Sequence, residues 1–239
     1  MMNAKRLGIA LGAAVLVPAV ATVAYVGTNG ADAVTAGPVA AAEPAPDAPE
    51  FEPVPDAAPA PRDVTIQVET ILGSGCPAGT TKVVPTHNNA AFTVIYQKYM
   101  AWAGGEAPPT EFRRNCQINV KVNAPEGYTY AVVGVVSRGA AHVEKGATAL
   151  RSTNYYFQGS SENVSVNHEI NGPYDGAWRF RDRTDPAKRV YAPCGKERNL
   201  NINTQLRIDK GDSDAKKPSF IAMESTNADA VYHLTWKRC

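Results

Sequence analysis

Three arginines on alternate positions, Arg179, Arg181 and Arg183 in "WRFRDRTDPAKR", are the most ordered chemical pattern in the chain. On a strand their guanidinium groups would share one face, each offering a fork of donors suited to carboxylate, phosphate or sulfated sugar. The same ladder is a candidate seat for an acidic stretch of the chain itself.

Catalytic patterns are harder to find. The four histidines, His87, His142, His168 and His233, have no second ligand at zinc-binding spacing. No G-x-S-x-G is present, and the "GSG" at 73–75 precedes a cysteine turn rather than joining a strand to a helix. EF-hand spacing is missing too. A glycosidase needs only two opposed carboxylates, which distant strands can supply, with Glu111, Glu144, Asp175 and Glu224 as the candidates. Asp175, in "GPYDGAW", reads as a turn residue. Trp102, Tyr155, Tyr156, Tyr174 and Trp178 are candidates for stacking on sugar rings, a role that competes with core packing. Asn163-Val164-Ser165 fits a glycosylation acceptor in a host that makes N-glycans. The expectation is no catalytic residue, no metal and no cofactor.

The segments that must position these groups begin with an export signal. Lys5 and Arg6 precede an apolar run from Leu7 to about Val26, followed by small residues, so residues 1–33 read as a secretory signal peptide. Two small-x-small sites fit, Ala19-Val20-Ala21 and Ala31-Asp32-Ala33; the second lies outside the apolar run and is preferred. An uncleaved anchor is the alternative. Without a cysteine after the run, a bacterial lipoprotein anchor has no residue to build on.

Residues 34–62 form an arm dominated by Ala and Pro, with five acids against Arg62 alone. Proline holds the backbone near polyproline values, and few apolar side chains offset ordering entropy, so an extended arm is expected. Phe51, its only aromatic, together with Val54, is the candidate anchor for a partner's groove. Residues 63–239 carry 21 Lys and Arg against 17 Asp and Glu, a balance of +4 that opposes the arm's −4 beneath a whole-chain charge of +1. That excess is too modest for nucleic-acid binding.

Residues 63–239 suit one domain. Period-two alternation marks strands: Val64, Ile66 and Val68; Cys116, Ile118, Val120 and Val122; Val164, Val166, His168 and Ile170; Leu200, Ile202, Thr204, Leu206 and Ile208. The last run leaves Asn199, Asn201, Asn203, Gln205 and Arg207 on the opposite side. About ten short strands separated by turn clusters, with no sustained helical period after the signal, predict an all-β, two-sheet antiparallel sandwich, with a closed barrel as the alternative.

Four cysteines in an exported chain favour two disulfides, with three connectivities possible. Pairing between chain neighbours is preferred, Cys76 with Cys116 and Cys194 with Cys239, the second holding the last strand at its end; free thiols are the competing reading. Each bridge closes a loop worth roughly 4 kcal/mol in chain entropy.

The segments "FTVIYQKYMAWAG", "RRNCQINVKVNAPEGYTYAV", "NYYFQG", "GPYDGAW", "PCGKERNLNINTQLRI" and "YHLTWKRC" resemble domain-of-unknown-function family 4360, a family of secreted bacterial and fungal proteins. The resemblance runs from about Ile66 to Cys239 and leaves out the arm. It implies a secreted β domain with four cysteines and brings no catalytic residues. The expected function is a secreted, non-catalytic interaction or adaptor module whose domain and arm engage another secreted or cell-surface protein. The alternative is a protein that binds, or also hydrolyses, cell-wall polysaccharide. No membrane association is expected once the signal is cleaved.

Overall fold

A computed structural model describes residues 61–223 and 229–239. The signal segment 1–33, most of the arm, including Phe51 and Val54, and Glu224 lie outside the described residues. The described chain is all-β, with twelve strands: β1 (Thr65–Leu72), β2 (Thr81–Thr86), β3 (Ala91–Tyr96), β4 (Met100–Ala103), β5 (Arg113–Asn123), β6 (Tyr128–Val143), β7 (Thr148–Phe157), β8 (Val164–Asn171), β9 (Tyr174–Arg183), β10 (Leu200–Asp209), β11 (Ser219–Ala222) and β12 (Asp229–Arg238). A single 3-10 turn, Pro186–Lys188, follows β9.

The strands form two antiparallel sheets. The first has the order β1-β5-β10-β7-β8. The second runs β2-β3-β12-β6-β11-β4, with β9 also paired to β6. The 16-residue β6 is long enough to hold β12 and β11 end to end along one edge and β9 along the other. Near Ala222 its backbone must approach closely: a Cβ on Gly139 would sit 2.0 Å from the Ala222 carbonyl oxygen and 2.6 Å from the Trp178 ring. Only glycine fits there.

Two strands more than the sequence reading appear, for physical reasons. "AFTVIYQKYMAW" is cut into β3 and β4, because the chain crosses from the β12 side of the second sheet to the β11 side. "TKVVPT" forms β2 despite Pro85, since an edge strand has one side on which the missing N–H is not needed. Two local expectations are corrected. Asp175 lies within β9, in register with His142, and not in a turn. The alternation of Val64, Ile66 and Val68 breaks at a register shift between Val68 and Thr70, leaving Val68 exposed on an edge strand.

The inner faces of both sheets make one core. Ile118, Val120, Leu200, Ile202 and Leu206 of the first sheet meet Phe92, Tyr130, Val132, Tyr232 and Trp236 of the second. Each such side chain contributes about 1.5–3 kcal/mol on burial. Phe92 and Tyr232 stack 5.0 Å apart, and the Tyr99 hydroxyl donates to Thr204 Oγ1 at 3.0 Å across the interior. Burial pushes the Tyr96 hydroxyl up to about 12, so it remains protonated.

Both disulfides brace strand ends. Cys76–Cys116 ties the turn before β2 to β5, and Cys194–Cys239 ties the loop before β10 to the end of β12. The amide of Cys239 also donates to the Gly127 carbonyl at 2.9 Å, so the last residue is held by backbone as well as sulfur.

Candidate functional site: an amide-covered sheet face

The first sheet turns one face to the core and presents the other to solvent. Because β5, β10 and β7 alternate strictly, every second residue points outward, and on all three strands those residues are mostly polar. Registration aligns them into rows across the sheet. One row is Gln117–Asn203–Asn154–Ser165, the next Asn115–Gln205–Ser152–Asn167, and a third Asn119–Asn201–Tyr156. A groove of about 640 Å³ follows the first two rows.

Some of these amides hold the face in shape. Asn199 Nδ2 donates to Asn119 Oδ1 at 2.7 Å, and Asn119 Nδ2 donates to Asn201 Oδ1 at 2.8 Å. Asn154 Nδ2 donates to Asn163 Oδ1 at 2.9 Å, so the acceptor asparagine of the Asn-Val-Ser triplet is part of this lattice. Gln117, Asn203 and Gln205 make no side-chain hydrogen bond among the described residues; Gln117 is exposed and the other two are half-buried along the groove. At one end Arg113 and Arg207 are registered side by side. Arg207 also borders a second, more apolar groove of about 610 Å³ with Pro108, Pro109 and the exposed ring of Phe112.

An Asn or Gln amide offers an acceptor oxygen and two N–H donors, which together can bind one hydroxyl as donor and its neighbour as acceptor. Neighbouring groups within a row stand about 4.8 Å apart from strand to strand, an interval close to the length of one sugar ring. Carboxylates stand at its borders: Glu169 at the end of the Arg113–Arg207 row, Asp209 one row further along β10, and Glu197, engaged by Lys121 at 2.8 Å. Such a face can offer paired donors and acceptors to a polyhydroxylated chain.

The sequence reading singled out the outward amides of β10 but missed their continuation on β5 and β7. The detectable signal was the shared alternation of "NCQINVKV" and "RSTNYY", whose outward sets are also amide and hydroxyl. Pairing order, which brings the three strands side by side, is not visible in the chain.

The other candidates lie elsewhere. Arg179, Arg181 and Arg183 do share the exposed face of β9, in the second sheet. Asp182, between them, points inward, where it accepts from His168 Nε2 at 2.5 Å and from the buried Arg151 Nη1 at 3.1 Å. His142 stands between two of the candidate acids, with Nε2 3.3 Å from Glu144 and Nδ1 3.4 Å from Asp175. Each acid is turned to the imidazole, and Asp175 is 82% exposed, so they do not oppose one another across a slot. Glu111 pairs with Arg114. Among the aromatics, Tyr155 and Trp178 are buried core residues and not stacking platforms, whereas Tyr156 is half-buried on the amide face and Trp102 and Tyr174 are half-buried elsewhere. His87 and His233 bring their rings to 5.7 Å; burial, then the neighbouring His87, lowers the His233 pKa to about 4. Among the described residues no group of three or more His, Cys, Asp or Glu is placed to hold a metal ion, and no helix is long and apolar enough to cross a membrane.

Comparison with known proteins agrees with the sequence resemblance. An uncharacterized secreted protein of Arthroderma benhamiae is 32% identical over 182 residues, covering 76% of this chain and 74% of the relative. Two solved structures show faint overall similarity. One is the carbohydrate-binding module TmCBM61 in complex with beta-1,4-galactotriose, at 12% identity, covering 74% of this chain and 90% of that one, TM-score 0.24. The other is the enzymatically active domain of bacteriophage CBA120 tailspike protein 4, at 13% identity, covering 74% and 20% of the two chains, TM-score 0.23. At such scores neither bears on fold or ligand. The family model for a domain of unknown function, DUF4360, matches residues 62–239, and the chain is therefore a secreted, disulfide-bonded β-sandwich protein belonging to the DUF4360 family.

Proposed function

We propose that the protein is a non-catalytic binder of extracellular polysaccharide, and that it grips the polymer on the outer face of the first sheet. The observation that carries this reading is the row Gln117–Asn203–Asn154, in which three adjacent strands place an amide side by side at one level. A flat amide lattice suits hydroxyl pairs and gives little purchase to an apolar protein surface, whose interface core excludes unpaired polar groups. Tyr156, on the face, and Phe112, in the adjoining groove beside Arg207, supply ring surface for stacking against sugars. The Arg113–Arg207 pair adds a site for a uronic or otherwise anionic sugar.

The protein-adaptor reading draws on Phe51 and Val54, outside the described residues, and on the arginine face of β9; the amide rows favour the polysaccharide reading because their donor and acceptor groups match hydroxyl pairs. The test is depletion of the mature protein from solution by insoluble cell-wall polymers. Wild type should sediment with at least one polymer, and a chain carrying Gln117→Ala and Asn203→Ala should stay in the supernatant. Absence of depletion across neutral and uronic-acid polymers overturns the proposal, as does equal depletion of the double variant.

A further inference from the structure

Arg113, on β5, and Arg207, on β10, stand directly opposite each other in register, with both side chains exposed. Neither makes a side-chain hydrogen bond or ion pair among the described residues. Like charges opposite one another on paired strands repel, and an anion shared between the two guanidinium forks turns that repulsion into binding. The pair also stands where two grooves adjoin. Arg207 lines the groove of about 610 Å³ with Phe112, and Arg113 lines the groove of about 640 Å³ with Gln205 and Asn203. The Phe112 carbonyl accepts from the Ile208 amide at 2.8 Å, which fixes its exposed ring beside Arg207.

Beyond the pair, positive charge stops. The three rows that follow, Asn115–Gln205–Ser152–Asn167, Gln117–Asn203–Asn154–Ser165 and Asn119–Asn201–Tyr156, hold amides, hydroxyls and one ring, with no charged side chain. Along β10 they extend about 20 Å from Arg207 to Asn201, roughly four times the strand spacing and so about four sugar rings. Two exposed acids border the pair, Glu169 at the end of its row and Asp209 one row further along β10.

Given the polysaccharide reading, on which this rests, we propose that the ligand is a neutral polymer carrying isolated uronic residues. One carboxylate sits between Arg113 and Arg207, about four uncharged sugars follow along β10 with each row reaching hydroxyls on either side of a ring, and the sugar on the other side of the carboxylate stacks on Phe112. A polymer charged on every sugar fits less well. Its further carboxylates would lie over uncharged amides or face Glu169 and Asp209, so they would lose water without gaining a cation.

Affinity electrophoresis of the full mature chain tests this at about 0.1 M salt, where long-range attraction is largely screened. The gels contain glucuronoxylan or an arabinogalactan tipped with glucuronic acid, each in native form and after carboxyl reduction, or polygalacturonate. Reduction turns the carboxylate into a primary alcohol and leaves the rest of the polymer intact. At least one native polymer should retard the protein, with binding about tenfold weaker to its reduced form and to polygalacturonate. Arg113→Gln/Arg207→Gln should bind the native and reduced forms alike. Equal binding of native and reduced polymer by wild type overturns the proposal and leaves the polysaccharide reading standing, as does binding to polygalacturonate at least as tight as to the native polymer. No retardation in any gel overturns both. The comparison of native with reduced polymer needs only the wild-type chain, so it decides the matter even where the double variant does not fold.

Discussion

Arg151 and Asp182 meet across the sandwich: the buried guanidinium on β7 of the first sheet donates to the carboxylate on β9 of the second at 3.1 Å. His168, registered with Arg151 on β8, donates through Nε2 to the other oxygen of the same carboxylate and lies flat on Phe180, ring centroids 4.1 Å apart. This edge of the sandwich is thus closed by a polar bridge and an aromatic stack between β9 and the β7–β8 pair, with which it shares no backbone ladder.

Asp182→Ala leaves a buried cation without its counter-charge and should lower stability by about 3–5 kcal/mol. Replacing both partners, Arg151→Met with Asp182→Leu, should cost far less than the single change, because no buried charge is stranded. Urea unfolding followed by tryptophan fluorescence measures both. Equal losses in the two variants would show that the bridge matters through packing alone.

Loss of the terminal bridge should also be measurable. Cys194→Ser with Cys239→Ser removes a loop constraint and releases the end of β12, whose Tyr232 and Trp236 lie in the core. A drop of roughly 2–4 kcal/mol is expected in denaturant unfolding. The Cys239 amide bond to Gly127 remains available, which keeps the expected loss within that range.

On the amide face, Gln117→Ala with Asn203→Ala should weaken the proposed polysaccharide binding about thirtyfold, the worth of two hydrogen bonds of roughly 1 kcal/mol each. Unfolding free energy should stay within about 0.5 kcal/mol of wild type, since surface changes away from packed features usually do. Arg113→Ala with Arg207→Ala should weaken binding to uronic-acid polymers and spare neutral ones, read by affinity electrophoresis in gels containing each polymer.

His233 sets a direction for pH dependence. Its folded pKa, about 4, lies below the ordinary 6.5. Between those values the unfolded chain binds a proton that the folded chain does not, so stability falls as pH drops from 6.5 towards 4 and this contribution levels off below. His233→Asn should remove that part of the slope. Thermal midpoints of both chains from pH 7 to pH 4 provide the measurement, and parallel curves would assign the acid sensitivity to other groups.

Much of the sandwich is written in strict alternation. β5 and β10 could be read from "NCQINVKV" and "LNINTQLRI" because a half-buried strand must repeat every two residues. The arginines of β9 fell on one face for the same reason. Asp175 was misplaced because Gly and Pro neighbours make a local turn signal, yet pairing with His142 on β6 carries the strand through it. For Trp178 and Tyr155 the sequence left core packing and sugar stacking in competition, because an aromatic side chain suits either, and the opposing sheet decides for the core.

The sequence by itself determined the secreted class, the alternating strands and the outward amides of β10, since export, burial and turn formation are properties of short stretches and their composition. Tertiary structure alone decided that β5, β10 and β7 lie side by side so that their amides form one lattice, and that Arg151, His168 and Asp182 meet between the sheets. Those juxtapositions join residues far apart in the chain, 14 positions for His168 and Asp182 and 82 for Asn119 and Asn201, and they follow from strand order and register, which depend on how the whole chain buries its apolar faces at once.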